Sequence, residues 1–238
     1  MKKFNTLWLL FLAMVIVING NASLLHAATL SGKVNFKGEA PAVTPISFGA
    51  EKQCADLNGG KLVLPQDFVV NPNASLKWVL VYIKEGVQPS AEVPAQPAEI
   101  DQNGCMFIPH AIAVRVGQKV NIKNGDPVLH NIRNESKNIK IFNIAQPIQG
   151  MTTTRVFDKP EVGMKLRCDV HFWMAGYVHV MDHPYYALTG EDGSFKIENL
   201  PAGTYTLEAW HEKLGVQAQT ITVTADEQKT MDFTFEKV

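Results

Sequence analysis

Four residues carry donor atoms that soft and borderline metal ions prefer: His130, Cys168, His171 and Met174. They supply two imidazoles, one thiol that can ionise and one thioether. Thiolate and thioether sulfur suit Cu(I), and imidazole suits copper in both oxidation states. One copper held by such a set can cycle between Cu(I) and Cu(II) with little rearrangement. The expected chemistry is one-electron transfer at a mononuclear type 1 copper site.

The spacing points the same way. Cys168, His171 and Met174 form Cys-x-x-His-x-x-Met within CDVHFWM, so one short loop can present three donors to one ion. His130 arrives from elsewhere, after VGQKVNIKNGDPVL, which reads as strand, polar turn and ligand. Met174 is the weakest member, because an axial thioether bond is long and replaceable. In the competing reading Cys168 and Met174 are core residues and the histidines are incidental, which requires four coincidences of type and spacing.

Something must hold these donors in place, and the rest of the chain is patterned as strands. Short alternating runs recur: GKVNF, WVLVYI, AIAVRV, KVNIK, TTTRVF, GYVHVM, TYTLEAW and QTITVT. Gly, Pro, Asn and Asp punctuate them, which predicts an all-β chain of packed antiparallel sheets. Residues 97–182 read as one Greek-key sandwich around the donors. Residues 185–238 read as part of a second, too short to close a two-sheet core alone. The strands it lacks are expected in residues 29–90, with the donor segment inserted between and VQPSAEVPAQPAE as the entry linker. Three consecutive units are the alternative.

The N-terminus reads as a targeting segment over residues 1–27. Lys2 and Lys3 precede the apolar run LWLLFLAMVIVI, and small residues follow. This predicts a bacterial periplasmic or secreted protein, with an uncleaved anchor as the alternative. A net charge of -1 over 238 residues argues against nucleic-acid binding by bulk charge.

Export bears on the three cysteines. An oxidising compartment favours a disulfide and leaves one cysteine over. With Cys168 reserved for metal, Cys54 and Cys105 are the expected pair, against two buried free thiols. A rival reading groups Cys105 with Met106 and His110 as a second soft-metal site.

The residues FIPHAIAVRVGQKVNIKN, LHN and LRCDVHFWMAGYVHV make residues 99–182 resemble the cupredoxins, in the amicyanin-like branch with the short ligand loop. That resemblance implies His130, Cys168 and His171 as equatorial ligands and Met174 as axial ligand. It also implies that Asn131 sits behind them and joins the two ligand loops by hydrogen bonds. Where the family usually has Pro after the last ligand histidine, this chain has Phe172 and then Trp173. The flanking stretch TGEDGSFKIENLPAGTYTLEAWHEKLG resembles the carboxypeptidase-regulatory, transthyretin-like sandwich, which implies fold and little chemistry. The combination resembles bacterial methylamine-utilisation-type proteins, without implying a methylamine substrate.

Three functions follow from these readings. The first is electron transfer with a redox protein partner (a dehydrogenase, cytochrome or oxidase). His171 would be the electron port, with Phe172 and Trp173 as an apolar docking patch. The second is a copper carrier or store using the same ligands. The third is an interaction module whose metal site is vestigial. Catalysis is not expected: no Gly-x-Ser-x-Gly, His-Glu-x-x-His or phosphate-cradling loop occurs. His110 is expected as an exposed turn histidine, His179 as a sheet residue, and His183 and His211 as structural residues near the join of the two modules.

Overall fold

The computed structural model describes residues 27–237. The targeting segment lies outside the described residues, apart from Ala27. The elements in chain order are β1 (Ala27–Lys37), α1 (Lys52–Leu57), β2 (Leu80–Glu85), β3 (Ala98–Asn103), β4 (Met106–Ile108), β5 (Ala111–Arg115), β6 (Lys119–Asn124), β7 (His130–Glu135), β8 (Asn143–Gln146), β9 (Thr152–Val156), β10 (Glu161–Arg167), β11 (Ala175–Met181), β12 (Tyr186–Leu188), β13 (Ser194–Pro201), β14 (Gly203–His211), β15 (Gly215–Val223), β16 (Gln228–Thr230) and β17 (Phe233–Glu236). The chain is all-β.

Period-two burial builds the sheets. In β6, Val120, Ile122 and Asn124 are buried and the residues between them are not. The sheet β4-β3-β6-β9 and the sheet β5-β11-β10-β7-β8 share one core, which includes Ile100, Phe107, Val120, Ile132, Leu166 and Val178. A second core joins Leu30, Val34, Phe36, Val81, Ile83, Leu207 and Phe235. Its strands are β13-β1-β16, with β17 also on β1, and the sheet β12-β2-β14-β15.

The chain order of these partners is unusual. β1 pairs with β13, β16 and β17, and β2 pairs with β12 and β14. All of β3–β11 therefore lies between β2 and its ladder neighbour β12, where Tyr82 faces Tyr186. Arg115 fastens the outgoing and returning chain. Its guanidinium donates to the carbonyls of Ser90 (2.7 Å), Asp182 (3.1 Å) and Met181 (3.3 Å), and the Ser90 N–H donates to the Asp182 carbonyl at 2.8 Å.

The run LVYI in β2 is apolar without alternation because both of its faces are covered. Val81 and Ile83 enter the second core. Leu80 and Tyr82 join Met181, with Ala113 and Trp210 alongside, in a third cluster between the two halves. His110 also lies at this join and corrects the expectation of an exposed turn. It is 4% exposed and its Nε2 pairs with the Glu212 carboxylate, because the β14–β15 turn covers the turn after β4. His211 is buried too, against Phe68 and Phe235.

Candidate metal centre

Antiparallel pairing brings the donors to one end of the first sandwich. β10 pairs with β7 and with β11, with Arg167 opposite both Arg133 and Ala175. The loop that follows β10 therefore emerges beside the start of β7, where His130 is the first residue. The loop closes on itself through backbone hydrogen bonds from Met174 to His171 (2.9 Å) and from Cys168 to Met174 (3.4 Å).

The ligand atoms of His130, Cys168 and His171 lie within 4.8 Å of one another. Cys168 Sγ is 3.8 Å from His171 Nδ1, and His171 Nδ1 is 3.0 Å from His130 Nδ1. An imidazole nitrogen about 2.0 Å and a thiolate sulfur about 2.3 Å from one ion, at a trigonal angle, are separated by about 3.7 Å; two such nitrogens are separated by about 3.5 Å. Cys168 and His171 already stand at that spacing, and the two imidazoles, 3.0 Å apart, have to part by about 0.5 Å to share one ion. Met174 is fully buried at the C-terminal end of the loop, in the same core as Cys168.

Charge in the cluster is arranged to receive a cation. Burial pushes the Cys168 thiol up, but hydrogen bonds involving His130, His171 and Asn131 outweigh it and bring the thiol down to about 6. The thiolate that a metal needs is therefore the neutral-pH form. The backbone N–H of His171 points at this sulfur, 3.4 Å away.

Asp126 holds His130 from behind. Its Oδ2 is 2.9 Å from His130 Nε2, and its two oxygens also accept the backbone N–H groups of Gly104 and Cys105, each at 2.8 Å. A carboxylate at Nε2 fixes the hydrogen there and leaves the Nδ1 lone pair for the cluster. Burial pushes Asp126 up, yet His130 and the two N–H groups hold it below the usual carboxylate range. Burial pushes His130 down, yet Asp126 and Cys168 hold it above its ordinary value.

Asn131 joins the two ligand loops. Its Oδ1 accepts the backbone N–H groups of Asp169 (2.6 Å) and Val170 (3.3 Å) and lies 3.4 Å from Cys168 Sγ. Its Nδ2 donates to Asn143 at 2.6 Å and to Asp169 at 3.2 Å.

A disulfide joins Cys54 to Cys105 and forms the roof of this site. The two cysteine sulfurs and a His171 ring nitrogen fall within 4.8 Å of one another, and Cys105, Asp126 and His130 form a similar group. Cys105 occupies a two-residue hairpin turn with Gly104, both at positive φ (56° and 62°), the pattern of a type I′ turn. Asn58 ties this turn to the end of α1 by donating to the carbonyls of Cys54 (2.8 Å) and Gly104 (2.9 Å). Trp173 Nε1 donates to the Cys105 carbonyl at 3.0 Å, and Phe48 meets the Trp173 ring edge-on at 5.3 Å.

This roof corrects two expectations. His171 is 2% exposed and cannot itself face a partner, because the disulfide and the Trp173 ring lie against it. Trp173 is packed against the core under Phe48 and does not belong to an open patch; Phe172 alone of the pair stands out, at 75% exposure. The grouping of Cys105, Met106 and His110 does not assemble as a site either, since Cys105 is in the disulfide and His110 is engaged by Glu212. Asp126 and Asp169 stand near the ligands in sequence with nothing to pair them as acid and base; that Asp126 sits behind His130, four residues on, is not legible there. The cysteine pair gave no local signal of its proximity to the donors, which arises from where the β1–β2 connection is laid.

Residues 177–236 match the family model of the carboxypeptidase regulatory-like domain. A comparison with curated proteins gives no match. Among solved structures, the chain is similar to a Cu-containing nitrite reductase from Thermus scotoductus SA-01, at 21% identity and TM-score 0.35, over 40% of this chain and 26% of that one. It is similar to a purple cupredoxin from Nitrosopumilus maritimus, at 28% identity and TM-score 0.31, over 35% and 99% of the two chains. It is also similar to amicyanin from Paracoccus versutus, at 20% identity and TM-score 0.32, over 42% and 97%.

Proposed function

We propose that this protein carries single electrons through one copper ion held by His130, Cys168 and His171, with Met174 as the axial donor. The observation that supports this reading is the buried cluster of His130, Cys168 and His171, with a thiol already lowered to about 6. Bound copper would supply the Cu(I)/Cu(II) couple. The residues supply its constancy. Asp126 and Asn131 fix the donors from behind, and the core around Met164 and Leu166 limits water. Little then has to move when the charge changes.

The burial of all four donors favours retention of the metal over delivery, and so favours an electron carrier over a copper carrier. Phe172, Leu129 (45% exposed) and Val170 (41%) are exposed apolar residues next to His171 and His130 in the chain and would form an apolar rim beside the ligands. This rim is where a redox protein would dock. The second sandwich, from residues 29–90 and 185–238, acts as a frame into which residues 97–182 are inserted. The segment before Ala28 directs the protein to the periplasm or beyond. Among the described residues no helix is long and apolar enough to cross a membrane.

Voltammetry of the copper-loaded protein tests this. A reversible one-electron wave that survives excess chelator supports electron transfer. Loss of the wave and of copper within the same treatment supports a copper carrier instead.

A further inference from the structure

We infer that the Cys54–Cys105 disulfide is a redox-controlled second metal site, which on reduction takes a thiophilic ion such as Cu(I) with His171 as its third donor. The inference rests on the proposed copper reading only in that His171 faces both sites. Three observations carry it.

The first is position. Cys54 and Cys105 sulfurs and a His171 ring nitrogen lie within 4.8 Å of one another, and all three residues are buried. Many structural disulfides lie in a loop or a core with no metal donor beside them. This one lies against a member of a metal-binding triad. The second is composition. Two thiolates and an imidazole are a soft donor set, which selects Cu(I) over hard cations. The third is the local chain. α1 is a single short helix, fastened to the Gly104–Cys105 turn by Asn58 and the disulfide. Once the bond opens, that segment can let the sulfurs part. Two sulfurs about 2.3 Å from one ion at a trigonal angle need about 4 Å between them.

The step balances as an ordinary exchange. A dithiol reductant gives two electrons and two protons to the Cys54–Cys105 bond. That bond breaks into two thiols, and the reductant closes to its own disulfide. Binding of the ion then releases the thiol protons and, where the first site is already filled, the remaining ring proton of His171, because one imidazole donates to two ions only as imidazolate. In the oxidised protein the same atoms form a wall over His171, and the cluster offers donors for one ion only. The bond therefore sets how many metal ions the protein holds.

The test is an anaerobic Cu(I) titration of the whole protein against a chromogenic Cu(I) chelator, before and after treatment with a dithiol. The oxidised protein is expected to retain one equivalent and the reduced protein two. Cys168→Ala weakens the first site and sets the second apart: reduction should add one equivalent to whatever the oxidised variant holds. Adding His171→Ala to Cys168→Ala should then weaken the remaining site at least tenfold. A reduced wild-type protein that still holds one equivalent overturns the inference. So does a second equivalent whose affinity ignores His171→Ala. Alkylating the reduced Cys168→Ala protein should remove the added equivalent without any further substitution, and an added equivalent that persists counts against the assignment. If the oxidised wild type binds no copper, the electron-transfer reading falls, while reduced Cys168→Ala still decides this one.

Discussion

The carboxylate of Asp126 lies 2.9 Å from Nε2 of His130 and at the same time receives the backbone N–H groups of the Gly104–Cys105 turn. One side chain thus fixes a metal donor and the turn that carries the disulfide. Asp126→Asn keeps the size and an acceptor but removes the charge behind the imidazole. Copper affinity should fall about 10- to 100-fold, the usual cost of losing such a partner. Chelator competition measures it. An unchanged affinity would mean that the carboxylate serves the turn alone.

Asn131 makes the corresponding link on the other side of the site. Asn131→Ala removes the acceptor of the N–H groups of Asp169 and Val170, two exposed residues of the ligand loop. Stability should fall by about 0.5–1.5 kcal/mol, the net worth of a hydrogen bond whose donor water can reach. Copper should still bind, with a shifted absorption band because Cys168 loses a neighbour 3.4 Å away. Chemical denaturation and the visible spectrum check the two halves of this prediction separately.

The disulfide also constrains the unfolded chain. Cys54 and Cys105 are 51 residues apart, and closing a loop of that length contributes up to about 4 kcal/mol by chain entropy. Cys54→Ser combined with Cys105→Ser should lower the denaturation midpoint by a corresponding amount. A loss under about 1 kcal/mol would show that α1 and the turn remain ordered by Asn58 and Asp126 in either state.

Much of this arrangement was legible in the residues, for definite reasons. The ligand loop is contiguous, so CDVHFWM announced three donors, and the period-two runs announced the sheets. WVLVYI reads as one more alternating run, whereas its LVYI part is buried on both faces in β2. What escaped depends on contacts between distant segments. His110 read as an exposed turn because Glu212, more than a hundred positions later, is what buries it. His171 read as an open port because nothing near it in sequence shows that the β1–β2 connection passes over the site. Asp126 was visible four residues before His130, but its role depends on the bend that brings the carboxylate back to the ring.

His179 gives the fold a pH dependence. It is fully buried, its Nδ1 accepts the Gly163 N–H at 3.1 Å, and Trp210 meets its ring edge-on at 4.9 Å. Burial, with His110 nearby, pushes its pKa down to about 3. The folded state therefore keeps His179 neutral, whereas the unfolded chain takes up a proton below about 6.5. Stability from this residue is fully present above pH 6.5 and falls as pH drops towards 3, at up to about 1.4 kcal/mol per pH unit. His179→Gln should flatten that slope relative to wild type in denaturation curves taken between pH 6.5 and 4. Equal slopes would place the acid sensitivity elsewhere.

Cys168 and two histidines are proposed to bind one copper as a type 1 site. The direct measurement is the visible and electron paramagnetic resonance spectrum of the protein loaded with Cu(II), beside that of Cys168→Ala. An intense thiolate-to-copper band with narrow hyperfine splitting is expected in the wild type, and both should be lost in Cys168→Ala. A pale wild-type spectrum with ordinary splitting, or a colour that survives the loss of Cys168, would contradict it.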